Sequence, residues 1–186
     1  MPRIRVRPAE ERDIPGMARV HVETWKTTYR GIVSDRYLDH LSVEWDLGRG
    51  FGSWVRQPPS GWKEFIAERD AEVVGFAGGG ACQDAQTGFS GELGVIYVLR
   101  EHQRAGIGRA LVRAVVDHLR STGRTDMLVW VLKENPCRAF YEKIGGTLAQ
   151  ERVVGVAGEK HPEVGYGWRD LGALSRTLAS PDGKEI

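Results

Sequence analysis

Cysteine is nearly absent: Cys82 and Cys137 are the only two among 186 residues, and they lie far apart. That excludes the paired framework that staples small secreted domains, so both are read as reduced thiols. No run approaches the ~18 uninterrupted apolar residues of a membrane span. The start, Met1 to Arg7, alternates charged and apolar residues and has no signal-peptide core. A soluble, cytoplasmic protein without a membrane partner is expected. Charge of one sign is missing too. The balance of 26 Lys and Arg against 25 Asp and Glu leaves a net charge of +1, far from the one-sided field of a dedicated nucleic-acid binder. The five histidines, His21, His40, His102, His118 and His161, show no metal-ligand spacing. His21-Val22-Glu23 matches the H-x-E of zinc deaminases, but Phe140 stands where that motif needs its second cysteine. No metal is expected, and His118 reads as a hydrogen-bonded core residue.

What is present suits one domain, residues 1–175, followed by a flexible tail over 176–186. Ile4 to Arg7 reads as a strand. Asp13 caps a helix with Pro15 in its first turn and with Ile14, Ala18, Val22 and Trp25 at helical spacing. Ser34 and Ser42 are further N-caps. From Trp62 the period changes to that of strands over Glu64–Glu68, Glu72–Gly79 and Glu92–Val98, the first two joined by a tight Arg69-Asp70-Ala71 turn. A helix then carries Ile107, Leu111, Ala114, Val115 and Leu119 on one face and stops at Gly123. Met127–Leu132 is apolar throughout, as in a strand covered on both faces, and Pro136 starts a short helix through Ile144. Leu148–Val156 and Val164–Trp168 complete the strands.

The densest signal is Gln103-Arg104-Ala105-Gly106-Ile107-Gly108, between an apolar strand and an amphipathic helix. Such a turn leaves the first helical N–H groups free at the positive end of the macrodipole, where an anion is stabilised. Glycines at 106 and 108 let a phosphate approach. Neither a P-loop nor a dinucleotide fingerprint fits, since no Gly-Lys-Ser/Thr follows and Leu111 occupies the third glycine position.

These residues resemble the signature Q/R-x-x-G-x-G/A of the GNAT acetyltransferases, matched by Gln103, Gly106 and Gly108. Glu92 to Val98, Arg109 to Val112 and Asn135 to Glu142 are similar to the family's adjoining segments. The resemblance extends from residue 3 to 171, with 92–112 as its specific part. It implies an α/β fold with a mixed, twisted sheet of about seven strands, splayed in the middle and flanked by helices. It also implies acetyl-CoA as acyl donor, with the backbone of Ile96, Tyr97 and Val98 lining the pantetheine arm and residues Arg104 to Arg109 around the diphosphate. An unpaired strand edge can hold an amide-bearing arm in the manner of β-augmentation. Arg104 and Arg109 either add charge-assisted bonds to phosphate or form a solvated basic face with Arg113 and Arg120.

Acetyl transfer to an amine requires a proton acceptor, because a free alkylamine has a pKa near ~10.4. Glu92, opening an otherwise apolar strand, is the expected base, unless it merely tops the strand in solvent. Similarity to the family implies Tyr141 as the acid that assists the departing thiolate and Asn135 as a cofactor contact. Six positions separate Asn135 from Tyr141, whereas many relatives have seven. Cys137 is read as a small hydrophobe, with an acyl-cysteine route as the minor alternative. Trp25 and Tyr29 could cage a cationic acceptor or simply pack a core. The acceptor expected is a small-molecule amine. Two rival readings are a non-catalytic acyl-CoA sensor and a transferase for longer acyl chains. A C-terminal strand with an open edge could form a homodimer across a two-fold axis.

Overall fold

A computed structural model describes residues 4–180. In chain order its elements are β1 (Arg5–Pro8), α1 (Ile14–Thr28), α2 (Asp35–His40), α3 (Val43–Gly48), α4 (Ser53–Arg56), β2 (Lys63–Arg69), β3 (Glu72–Ala81), β4 (Gly91–Val98), α5 (Ile107–Ser121), β5 (Met127–Leu132), α6 (Arg138–Lys143), β6 (Thr147–Val156), β7 (Glu159–Trp168) and α7 (Leu171–Ala179). The strands form one seven-stranded sheet in the order β1-β2-β3-β4-β5-β7-β6. This is the mixed α/β sheet with flanking helices that the sequence implied. Every neighbouring pair is antiparallel except β4 and β5, which run parallel through the crossover helix α5.

Alternation along the strands sorts side chains to two faces. Ile107, Leu111, Val112, Val115, Val116 and Leu119 of α5 are all buried against one face. Phe76 and Tyr97 point to the other, where they meet Phe51 and His21. α1 crosses that second face, and a smaller apolar cluster of Val22, Leu38 and Leu41 ties α2 onto it. Burial of β5 is complete on both sides but for Trp130, in keeping with its uninterrupted apolar run.

Several local expectations shift. Asp13 does not cap α1: its carboxylate is buried and accepts two hydrogen bonds from Arg7, at 2.7 and 2.9 Å. Arg7 holds that carboxyl below the usual range, so an ion pair locks β1 to the helix entrance. Ser42 does cap α3 by accepting from the Trp45 N–H, whereas the Ser34 side chain makes no cap bond. His118 Nε2 donates to the Gly61 carbonyl in the β2 approach, 3.1 Å away, as a bonded core-edge residue.

The expected tail from 176 also needs correction. Residues 176–179 belong to α7, which Asp170 caps through the Ala173 N–H and whose Leu171, Leu174 and Leu178 are buried. α7 packs against α5. The helix escaped notice because its apolar stripe is only nine residues long; residues 181–186 lie outside the described residues. β6 is the outer strand at this end of the sheet, with Leu148 and Val153 exposed.

Because α5 buries six apolar side chains in the core and Leu111 is fully buried among them, Leu111→Ala is expected to destabilise the fold by roughly 2–5 kcal/mol in denaturant unfolding. A loss below about 1 kcal/mol would show that α5 does not carry the core.

Candidate active site

β4 and β5 share a single ladder pair, Glu92 with Leu128. Beyond it β4 continues with β3 on one side only, while β5 turns to β7 along its whole length. From Leu93 to Val98 the edge of β4 that faces β5 therefore has no strand partner, and the sheet opens into a wedge. One irregularity marks its start: Gly78 pairs with Val95 and Gly79 with Leu93, so Gly94 is an extra residue bulged out of β4. Ile96 and Tyr97 are half-buried along the wedge, and Val98 is buried at its wide end.

The turn into α5 closes that wide end. Arg104 and Gly106 both take left-handed backbone angles, with φ of 61° and 80°. Nothing lies within 4 Å of where a Gly106 Cβ would stand. The first helical bond runs from the Ala110 N–H to the Gly106 carbonyl. Ile107, Gly108 and Arg109 thus present N–H groups with no backbone partner among the described residues, beside the exposed Ala105. Gly108 lies against Phe140 of α6. The Gln103 side chain turns inward instead, donating to the Val98 carbonyl at 3.0 Å and pinning the turn to the strand.

Arg109 corrects an expectation. Its guanidinium donates to the Thr177 and Ser180 carbonyls at the end of α7, so the side chain caps that helix rather than facing the turn. Arg104 stays exposed, and its charge opposes the rise that burial imposes on the Cys137 thiol. Of the two arginines, Arg104 alone keeps its side chain at the mouth of the wedge.

Aromatic side chains bridge the opening. The Trp25 indole donates to the Tyr97 hydroxyl at 3.2 Å, and the Asn135 amide donates to the Tyr29 hydroxyl at 3.1 Å. Trp25 and Tyr29 stack with ring centres 4.7 Å apart. α1 and the residue that ends it, Tyr29, are thereby tied to both sides of the wedge. Asn135 is buried and its amide oxygen also accepts from the Cys137 N–H at 2.8 Å. Both ends of that amide serve the protein itself, so the Asn135 side chain acts as a brace.

Tyr141 of α6 is buried, packed on Tyr166 and Trp168. Its hydroxyl makes no hydrogen bond among the described residues. Burial, with the nearby Tyr29 and the Cys137 thiol adding to it, pushes the phenol well above its ordinary value. It is a proton donor that stays protonated across the neutral range. Glu92 stands at the other end of the wedge, half-buried, with Oε2 accepting from the Gln83 N–H at 3.1 Å.

Comparison with known proteins converges on the same region. Residues 77–154, which contain β4, the turn, α5 and α6, match the FR47-like protein family. YuaI of Bacillus subtilis, named an uncharacterized N-acetyltransferase, is 37% identical over 180 residues, covering 94% of this chain and 98% of its own. The chain belongs to the GNAT family of acetyltransferases. Among solved structures, the PaiA N-acetyltransferase of Thermoplasma acidophilum, in complex with coenzyme A, shares the fold with a TM-score of 0.69 at 20% identity, over 87% of this chain and 98% of that one. YncA of Salmonella typhimurium, solved with acetyl-CoA, gives 0.64 at 19% identity, over 96% and 98%.

Sequence reasoning passed over two acidic groups of this GNAT domain. Asp46 of α3 is buried and meets His21 Nδ1 at 2.6 Å, so the pair fastens α3 to α1 beside Tyr97. Glu64 of β2 shares the face of Gly78, Val95 and Tyr97. Its Oε1 accepts a long bond, 3.4 Å, from the Trp62 indole, and its buried Oε2 has no partner among the described residues. Burial raises the Glu64 carboxyl above its usual range. The one signal in the chain was Gly78-Gly79-Gly80: a Cβ at Gly78 would stand 2.8 Å from the Glu64 carboxyl carbon.

A folded-state pKa above the unfolded value contributes stability below the unfolded pKa that is lost as pH rises through the folded one. Glu64→Gln removes that loss. Its melting temperature relative to the parent is expected to climb as pH rises from the ordinary carboxylate range toward neutrality. A difference independent of pH would mean that Glu64 ionises in the fold as readily as in the open chain.

Proposed function

We propose that this chain is an acetyl-CoA-dependent N-acetyltransferase that acts on a primary amine of a small molecule by direct transfer within a ternary complex. The observation that supports it best is the wedge between β4 and β5 ending at the open N-terminus of α5. An arm bearing amides suits the unpartnered edge at Ile96, Tyr97 and Val98. A diphosphate suits the free N–H groups of Ile107, Gly108 and Arg109, with Ala105 and Gly106 leaving the approach clear and Arg104 adding charge. Gln103 holds the turn and Asn135 braces the far wall. Family membership and the coenzyme A bound in the PaiA structure favour the same occupant. When bound, acetyl-CoA supplies the activated acetyl group.

The protein's own groups divide the proton work. Glu92 accepts a proton from the incoming ammonium, leaving a neutral nitrogen able to attack the thioester carbon. Backbone N–H groups near Val98 polarise the thioester carbonyl. As the C–N bond forms and the C–S bond breaks, Tyr141 gives its proton to the departing sulfur, and the proton released by the acetylated nitrogen restores the phenol. A phenol whose pKa is raised serves well here, since it never arrives as a competing anion.

The test is thiol release from acetyl-CoA against a panel of amines. Tyr141→Phe is expected to lower kcat by about 10²-fold or more while coenzyme A affinity stays within about 3-fold of the parent. Glu92→Gln should lower kcat in the same way, with the loss greatest where the amine is mostly protonated. Full turnover by both variants would remove the acid–base assignments. Tight coenzyme A binding with no amine acetylated would favour a non-catalytic binding module, and release only from longer thioesters would change the donor.

A further inference from the structure

The two buried carboxylates among the described residues have cationic or ring-nitrogen partners: Asp13 is held by Arg7, and Asp46 by His21. Half-buried Glu64, whose Oε2 is sealed from solvent, has neither among the described residues. No Lys, Arg or His side chain forms an ion pair with it among the described residues, and Lys63 next to it turns toward the Phe65 ring on the other face. An unpaired buried carboxylate lowers stability and gives the core nothing that Leu or Met would not. The sheet is nevertheless shaped to house it. Gly78 vacates the space that its carboxyl fills, and Gly80 and Gly94 vacate the space for the Trp62 ring, where a Cβ would come within 3.0 and 2.3 Å of ring atoms. The Trp62 indole then directs its only donor at Glu64 Oε1.

Position connects this group to the wedge. Glu64, Gly78 and Val95 form one cross-sheet row, and Gly80 and Glu92 form part of the next, with the Trp62 ring lying across Gly80 and Gly94. Glu64 is near enough to Tyr97 that its charge acts on that phenol. It is half-buried rather than sealed. A carboxylate at this depth, short of one hydrogen-bond donor and one positive charge, is complementary to an ammonium group.

We infer that Glu64 is the group that recognises the positive charge of the acceptor, binding its ammonium before Glu92 removes the proton. Glu64 is thus a specificity residue for cationic amines, and the assignment rests on the amine-acetylating reading above. Its role is binding, so its loss raises KM more than it lowers kcat.

The experiment is calorimetry of the full chain, alone and with saturating coenzyme A. The probes are n-butylamine, benzylamine, phenethylamine and putrescine, each against its alcohol counterpart. Binding of at least one ammonium over its alcohol is expected, weakened about 30-fold or more in Glu64→Gln and less in Glu64→Asp. The parallel kinetic readout is a raised KM with kcat nearly unchanged. Unaltered ammonium affinity in Glu64→Gln, or no ammonium bound by the parent, overturns the assignment. Should Glu64→Gln fail to fold, Glu64→Asp decides by the same measure. Ammonium binding that depends on Glu64 without any thiol release would sink the transferase reading and leave Glu64 in place. Turnover with an unchanged KM would do the reverse.

Discussion

The parting of β4 from β5 is the constraint on which the rest of the structure depends. One shared pair, Glu92 with Leu128, joins the two halves of the sheet, and the strands then diverge. Backbone groups left without a strand are costly unless something else pairs with them. The fold sustains the opening by anchoring each half independently: β4 to β3, β5 to β7, and α5 beneath as the crossover. α1 and its terminal Tyr29 span the gap with two hydrogen bonds, one from Trp25 to Tyr97 and one from Asn135 to Tyr29. The wedge is therefore a braced opening, and under the proposed function a ligand's amides take the place of a strand there.

The groups around the wedge illustrate how function departs from what stability alone would choose. Among the described residues, the Tyr141 hydroxyl has no hydrogen-bond partner and Glu64 keeps a carboxyl oxygen, Oε2, without one. Both phenol and carboxyl are shifted toward their neutral forms by the same cause, burial among aromatic rings. Gly106 leaves the helix start bare where a side chain would cost no packing. By contrast, charged groups on β1 and β6 pair with opposite charges: Arg7 is bound to Asp13 and Glu68, and Arg152 to Glu163.

Much of this was legible because it is local. The strand–turn–helix from Glu92 to Leu119 is written in apolar period, in two glycines and in the free N–H groups that any such turn exposes. The apolar run at Met127–Leu132 announced a strand covered on both faces. What escaped reading was relational. Nothing in the letters of β4 says that only one of its residues pairs with β5, or that Gly94 is bulged. Arg109 carries the same side chain whether it meets a phosphate or a helix end, and only the docking of α7 decides. Glu64 looks like an ordinary outward strand residue until Gly78, fourteen positions on, is seen opposite it in the ladder. Asn135 and Tyr29 meet across 106 positions, beyond the range of any local pattern.

The central claim is that the free N–H groups at the start of α5 hold a diphosphate while the β4 edge holds the arm attached to it. Titration calorimetry with coenzyme A and, separately, with pantetheine measures this directly. The account predicts tight binding of coenzyme A that weakens at least about 100-fold when the nucleotide diphosphate is removed, and that falls with added salt. Equal affinity for the two compounds, or no heat with coenzyme A, would contradict it.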